Sequence, residues 1–296
     1  MAGARDRGMK GCASGNGPGA IAPDGSSVDL YARLPTWGEP ELVHRALPQA
    51  ASILELGCGA GRMTGPLVRL GHPVTAVDES PEMLARIPYT VTVRSTIEEL
   101  RLPGRFDAVL LASHLINDPD RRLCVRWLAT ARRHLADGGS LLLQRLDPSW
   151  FDTPRPAYVY QDGLEIVLVE VRRPTSRQVA ATIRYRLEGL VWYHRFTVER
   201  VDDADLDELL ALAGLRRTEF VSADRTWVRA DPVDHVGTHV PDDAGLSAGD
   251  RSVRSDSVGG GGPEVEAGRA APGNEARGAR GGVGGGGAAE GETRGR

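Results

Sequence analysis

The residues of this chain best suited to chemistry lie in one short run, Glu55-Leu56-Gly57-Cys58-Gly59-Ala60-Gly61, and in an acid further along, Asp78. Alternating glycines let the backbone turn sharply at positive φ and bring bare main chain against a ligand. A helix opening just beyond the run would offer free N–H groups to a carboxylate. Three such glycines cost more backbone entropy than a plain turn needs, so the run reads as a binding loop. The spacing is Gly57-x-Gly59-x-Gly61, and Arg62 stands where the third glycine of a dinucleotide G-x-G-x-x-G would fall. Glu55 enters the loop, and a carboxylate suits a cationic amine better than a pyrophosphate. Asp78, about 20 residues after the glycines, is placed to accept hydrogen bonds from both hydroxyls of a ribose. Ser80 is the better cap for the next helix, which frees Asp78 for that role. Together they suit a nucleoside with a cationic amine and no phosphate.

The elements that must position these groups follow from the pattern of apolar residues. Short apolar runs alternate with longer segments of helical period, the signature of a parallel sheet built from βαβ units. The pattern predicts a helix over 39–47, a strand over 52–56, and a helix over 61–70 stopped by Gly71. A strand over 73–77 and a short helix opened by Ser80-Pro81-Glu82 come next. Then follow a strand over 89–93, one helical turn over 97–100 and a strand over 106–112. An amphipathic helix over 121–135, ended by Gly138-Gly139, leads to a strand over 140–144. Beyond Arg145 the segments 164–172, 178–187 and 190–198 alternate apolar and polar residues, which predicts an antiparallel meander within about 158–199. A last helix begins at Asp203 or Asp205 and is capped by Gly214; strands over 217–221 and 225–230 close the chain. The expected class is α/β, a mostly parallel central sheet with helices on both faces. An antiparallel β insertion precedes the last helix.

Composition bounds the rest. Both ends of the 296 residues are rich in small and polar residues and lack apolar periodicity. Residues 1–27 and 233–296 are therefore expected to be disordered tails around a domain at 28–232. Of the net charge of −4, the first tail carries +1 and the last −3, leaving the core near −2, without the footprint of a nucleic-acid binder. Lys10 is the sole lysine, so the core can form no Schiff base, Walker-type phosphate loop or Tyr-xxx-Lys reductase site. Three widely spaced cysteines, Cys12, Cys58 and Cys124, argue against a disulfide framework and a zinc site. With no secretory apolar region and no stretch of membrane-spanning length, a soluble cytoplasmic protein is expected.

The chain resembles the class I S-adenosylmethionine (SAM)-dependent methyltransferases, most closely the bacterial small-molecule-type domains. ILELGCGAGRMT (53–64), VTAVDESPEMLA (74–85), FDAVLLASHLIN (106–117) and HLADGGSLLLQ (134–144) carry the resemblance, in family order and spacing. It implies a Rossmann-like fold with SAM as cofactor. Glu55 and the backbone of Gly57, Cys58, Gly59 and Gly61 would hold the methionine part. Asp78 would bind the ribose, lined by Glu79, Ser80 and Met83. Thr96 and Ile97 would meet the adenine, with Thr96 standing where the family often has Asp. Ala112 and Ser113 would lie near the sulfonium, and Tyr31 corresponds to a Tyr folded over the cofactor.

Methyl transfer needs a base only when the acceptor arrives protonated. His114 is the candidate general base. His194, expected on one strand face with Trp192 and Phe196, is a lesser candidate, and Trp150 and Tyr158 are candidate acceptor contacts. No metal cluster is expected, and Asp118 and Asp120 read as helix-start acids. The expected partner is a small-molecule acceptor, with no nucleic acid or membrane. A SAM-binding protein without catalysis and a nicotinamide-dependent oxidoreductase are the competing readings.

Overall fold

Near-continuous apolar runs form strands buried on both faces, and those runs set the core of this chain. The computed structural model describes residues 13–154 and 158–233. In chain order the elements begin with β1 (Ser14–Asn16), α1 (Val28–Tyr31), α2 (Glu39–Ala46), β2 (Ile53–Leu56), α3 (Thr64–Arg69) and β3 (Val74–Asp78). They continue with α4 (Pro81–Leu84), β4 (Val91–Arg94), β5 (Phe106–Leu111), α5 (Arg121–His134) and β6 (Leu135–Gln144). After these come β7 (Tyr158–Gln161), β8 (Leu164–Arg172), β9 (Gln178–Leu187), β10 (Leu190–Glu199), α6 (Asp203–Leu212), β11 (Leu215–Phe220) and β12 (Trp227–Pro232).

Seven strands form the larger sheet in the order β11-β12-β6-β5-β2-β3-β4. The five from β6 to β4 are mutually parallel, while β12 runs antiparallel between β6 and the edge strand β11. Alternation along β2 sends Leu54 and Leu56 to one face, where they pack with Leu128 of α5 and Leu209 of α6. Ile53 faces the other side, against Val43 of α2 and Leu67 of α3. Because β2 lies between β3 and β5, the chain leaves it toward both sides of the sheet. Its C-terminal end is therefore a topological switch point, where open α/β sheets leave a crevice.

The second sheet is antiparallel, in the order β1-β10-β9-β8-β7, and carries its own apolar clusters around Trp192 and Phe151. The β8, β9 and β10 spans match the alternating segments of the sequence closely. Among the described residues, no helix is long and apolar enough to cross a membrane.

Several expectations need correction. Residues 13–27 are ordered rather than part of a disordered tail. Ser14, Gly15 and Asn16 pair with Arg195, His194 and Tyr193 of β10, Ile21 bridges Ser27, and Ser26 and Ser27 are buried. Edge pairing uses main-chain groups and so needs no side-chain periodicity. The close approach also requires a glycine, since a Cβ on Gly15 would lie 1.8 Å from the Gly25 carbonyl oxygen. Residues 1–12 and 234–296 of the expected tails lie outside the described residues. The 121–135 helix ends at His134, because Leu135 pairs with Phe106 and begins β6, which bulges through Gly138-Gly139 before the ladder resumes at Ser140. The helix expected from Gly61 starts only at Thr64, after a non-helical turn. Residues 97–100 make a hydrogen-bonded turn, not a helix.

Candidate active site

The glycine loop leaves β2 at the switch point and is tied down by main chain. Gly57 N and Cys58 N both donate to the Val77 carbonyl at the end of β3, each at 2.9 Å. Gly57, Gly59 and Gly61 have φ of 71°, 55° and 88°, the left-handed region that glycine enters without strain. They differ in their surroundings. A Cβ on Gly57 would come within 2.8 Å of Leu115 Cδ1, and one on Gly61 within 2.9 Å of Ile87 Cγ1. A Cβ on Gly59 would meet nothing within 4 Å. Gly57 and Gly61 thus serve packing, whereas Gly59 faces open space.

Two carboxylates flank the loop. Glu55, only 3% exposed, accepts a hydrogen bond from Thr64 Oγ1 at 2.6 Å. Burial pushes its carboxyl up to about 7, against the smaller opposing effects of the Thr64 hydroxyl and the Arg62 charge. Asp78 Oδ2 accepts from Gly59 N and Oδ1 from Ser80 N, both at 2.9 Å. Each carboxylate oxygen offers about two acceptor positions, so both keep capacity for further donors. Burial raises the Asp78 carboxyl as well. Ser80 caps α4 through Met83 N at 3.2 Å, leaving Asp78 to the loop. Met83 is buried against Ala22 and Val28, with Tyr31 and Ala60 packed beside them. Glu79 joins Asp78 to Ser80, and its carbonyl accepts from Arg94 Nε.

The remaining sides come from the ends of β4 and β5. Ile97 is buried, and its Cδ1 lies 3.7 Å from the Cβ position of Gly57. The neighbouring Thr96 Oγ1 is buried without a hydrogen-bond partner. Such an orphan is costly unless a ligand or water completes it. Ala112 is buried at the end of β5. Ser113 and His114 then take φ of 56° and 61° in succession. Two consecutive non-glycine residues in the left-handed region store strain, a feature that clusters at functional sites. Gln144 Oε1 accepts from Ser113 N at 3.0 Å and holds that turn. Burial first and the Arg62 charge second push the His114 imidazole down to about 4, so it is neutral at pH 7. Cys58 is buried with its thiol pushed up by burial, which leaves it inert.

The other candidates divide. Tyr31 lies beside Ala60 and Met83, and its hydroxyl is 3.2 Å from His194 Nδ1 of β10. His194 therefore meets the site through Tyr31. Trp192, on the same face, is buried, and Tyr193 is exposed, as strand alternation requires. Trp150 packs edge-on against Phe151 in the cluster beneath the second sheet, which uses its ring in packing. Tyr158 belongs to β7. Sequence reasoning passed over an ion pair beside the loop, Arg62 Nη1 to Glu39 Oε1 at 2.7 Å, and over Trp37 next to it. Only Arg62 gave a signal, as the residue that breaks the dinucleotide spacing.

Residues 53–139 match the family model described as a methyltransferase domain. An uncharacterized methyltransferase of Mycobacterium tuberculosis is 42% identical over 125 residues, 40% of this chain and 49% of the relative. A ubiquinone biosynthesis O-methyltransferase of Xanthomonas campestris is 32% identical over 137 residues, 42% of this chain and 54% of the relative. The chain spans about half the length of the curated relatives it matches. Among solved structures, the CcbJ methyltransferase of Streptomyces caelestis superposes with a TM-score of 0.58 at 22% identity, covering 70% of this chain and 96% of that one. The sugar N-methyltransferase KedS8 of Streptoalloteichus gives 0.59 at 22% identity, covering 71% and 94%. At such identity the likeness is one of fold. Residues 53–139 thus match a methyltransferase domain, and the strand order around them is a fold shared with solved methyltransferases.

Proposed function

We propose that this chain transfers a methyl group from SAM to a small-molecule acceptor by in-line displacement. The observation that carries the reading is at the end of β2: an open Gly59 whose N–H is held by Asp78, the buried Glu55 carboxylate before it, and the buried, unpaired Thr96 hydroxyl after β4. These groups fit SAM. Glu55 offers a carboxylate to the α-ammonium, the loop offers bare main chain to the methionine part, and Asp78 keeps acceptor capacity for the ribose hydroxyls. Thr96 Oγ1 offers a free donor and acceptor to the adenine edge.

When bound, SAM supplies a sulfonium methyl that is already activated. The residues of this chain contribute positioning and dryness. Ala112 and the strained Ser113-His114 turn form the floor of the methyl-transfer position. His114, held neutral, accepts a hydrogen bond from the N–H or O–H of the acceptor and so aims its lone pair at the methyl. An imidazole this weakly basic does not retain the proton, which leaves to solvent. Tyr31 closes the crevice from the lead-in segment.

Isothermal titration with SAM and S-adenosylhomocysteine, followed by transfer of labelled methyl across a broad acceptor panel, tests the reading. Binding of both with turnover of at least one acceptor is expected. Absence of binding would sink it, and binding without any turnover would favour a non-catalytic SAM-binding protein.

A further inference from the structure

Trp37 is 51% exposed, yet it is not free. Its backbone N–H donates to Glu39 Oε2 at 2.5 Å, and its indole N–H donates to Gln161 Oε1 at 2.8 Å. The guanidinium of Arg62 sits over the ring, 5.8 Å from its centroid. Burial of a large aromatic surface is favourable, so a tryptophan would ordinarily be turned inward. Here one backbone bond fixes the chain at Trp37, and two ring contacts, to Gln161 and Arg62, orient the half-exposed indole.

The anchors come from three parts of the fold that meet at the site. Glu39 opens α2, Arg62 directly follows Gly61 of the loop, and Gln161 ends β7, the edge strand of the second sheet. Arg62 and Glu39 pair at 2.7 Å with side chains only 16% and 12% exposed, so they neutralise each other and place no net charge beside the ring. Arg62 leaves the glycine loop directly, so the ring that it covers stands beside that loop.

We propose that Trp37 is the stacking platform of the acceptor site, and that the acceptor is an uncharged or weakly charged ring compound with one apolar or π face. The inference rests on the methyltransferase reading and names its substrate class. Stacking on a fixed indole favours flat rings over acyclic amines, because a chain offers no face to match it. Two sources share that chemistry, a hydroxylated aromatic ring and the apolar face of a pyranose.

The test uses the full chain saturated with S-adenosylhomocysteine, whose binding is first measured by calorimetry. The indole N–H resonances of the five tryptophans are recorded in ¹⁵N NMR, and Trp37 is assigned by its loss in Trp37→Phe. Catechol, glucosamine and ethanolamine serve as probes. Catechol or glucosamine is expected to shift the Trp37 resonance while ethanolamine leaves it unmoved, and the ring that acts identifies the source. Gln161→Leu, which frees the indole without removing it, is expected to weaken the active ring probe by about threefold to tenfold. It should leave S-adenosylhomocysteine affinity unchanged. A Trp37 resonance that no ring probe moves, or that ethanolamine moves equally, overturns the inference. So does a Gln161→Leu variant with unaltered probe affinity. Failure to bind S-adenosylhomocysteine would instead overturn the methyltransferase reading itself.

Discussion

Single residues set the electrostatics of this site, and Glu55 and Asp78 act in different ways. Glu55 is buried, with its carboxyl raised to about 7, so without a cation beside it much of it carries a proton at neutral pH. Between about 4.5 and 7 the folded chain holds this proton where the unfolded chain has lost it. The contribution of Glu55 to stability therefore falls as pH rises through that window. A cationic ligand favours the ionised form, so its binding releases the proton. SAM affinity should thus weaken as pH drops below about 7, approaching tenfold per pH unit, and Glu55→Gln should remove that slope. Calorimetry from pH 5.5 to 8 checks this; an identical slope in both proteins would refute it. Asp78 has a second duty, since Gly59 N and Ser80 N depend on it. Asp78→Ala should weaken SAM binding by at least about tenfold and lower stability by about 1–3 kcal/mol through the orphaned amides. An unchanged dissociation constant would contradict the ribose role.

At the scale of elements, the loop between β2 and α3 separates glycines needed for packing from one kept open. Gly57→Ala meets Leu115 as well as an unfavourable φ, so we expect a loss of about 2 kcal/mol or more in chemical denaturation. Gly59→Ala meets no atom, and its cost should stay near the roughly 1 kcal/mol of a left-handed alanine. It should nonetheless impair SAM binding, because its methyl projects into the crevice. If Gly59→Ala bound SAM normally, the ligand would not lie where the open space suggests. Most element types, their succession along the chain and the meander were legible because periods of 3.6 and 2 leave distinct traces in sequence. Helix starts were less so: α3 begins three residues after Gly61, since the glycine loop needs those residues for its own turns. The Ser113-His114 turn left no signal, because left-handed geometry at non-glycine residues is imposed by packing rather than preferred locally.

For the whole molecule, the decisive feature is that a glycine-rich N-terminal segment completes a sheet more than a hundred residues away in the chain. Trp192, buried in β10, donates its indole N–H to the Pro18 carbonyl at 2.8 Å. Removing residues 1–27 should therefore expose Trp192 and lower the melting temperature by several degrees, at about 2–4 °C per kcal/mol for a domain of this size. An unaltered melting curve would show that the segment contributes nothing. The sequence by itself determined the βαβ order, the glycine loop with its two acids, and the exclusion of lysine-dependent chemistry. Each of these is encoded in neighbouring residues or fixed by composition. Only the tertiary structure decided that Tyr31 meets His194, that Arg62 and Glu39 pair, and that Trp37 is pinned outward by Gln161. Those contacts join groups far apart along the chain through single polar bonds, and such bonds need no periodic pattern that a one-dimensional reading could detect.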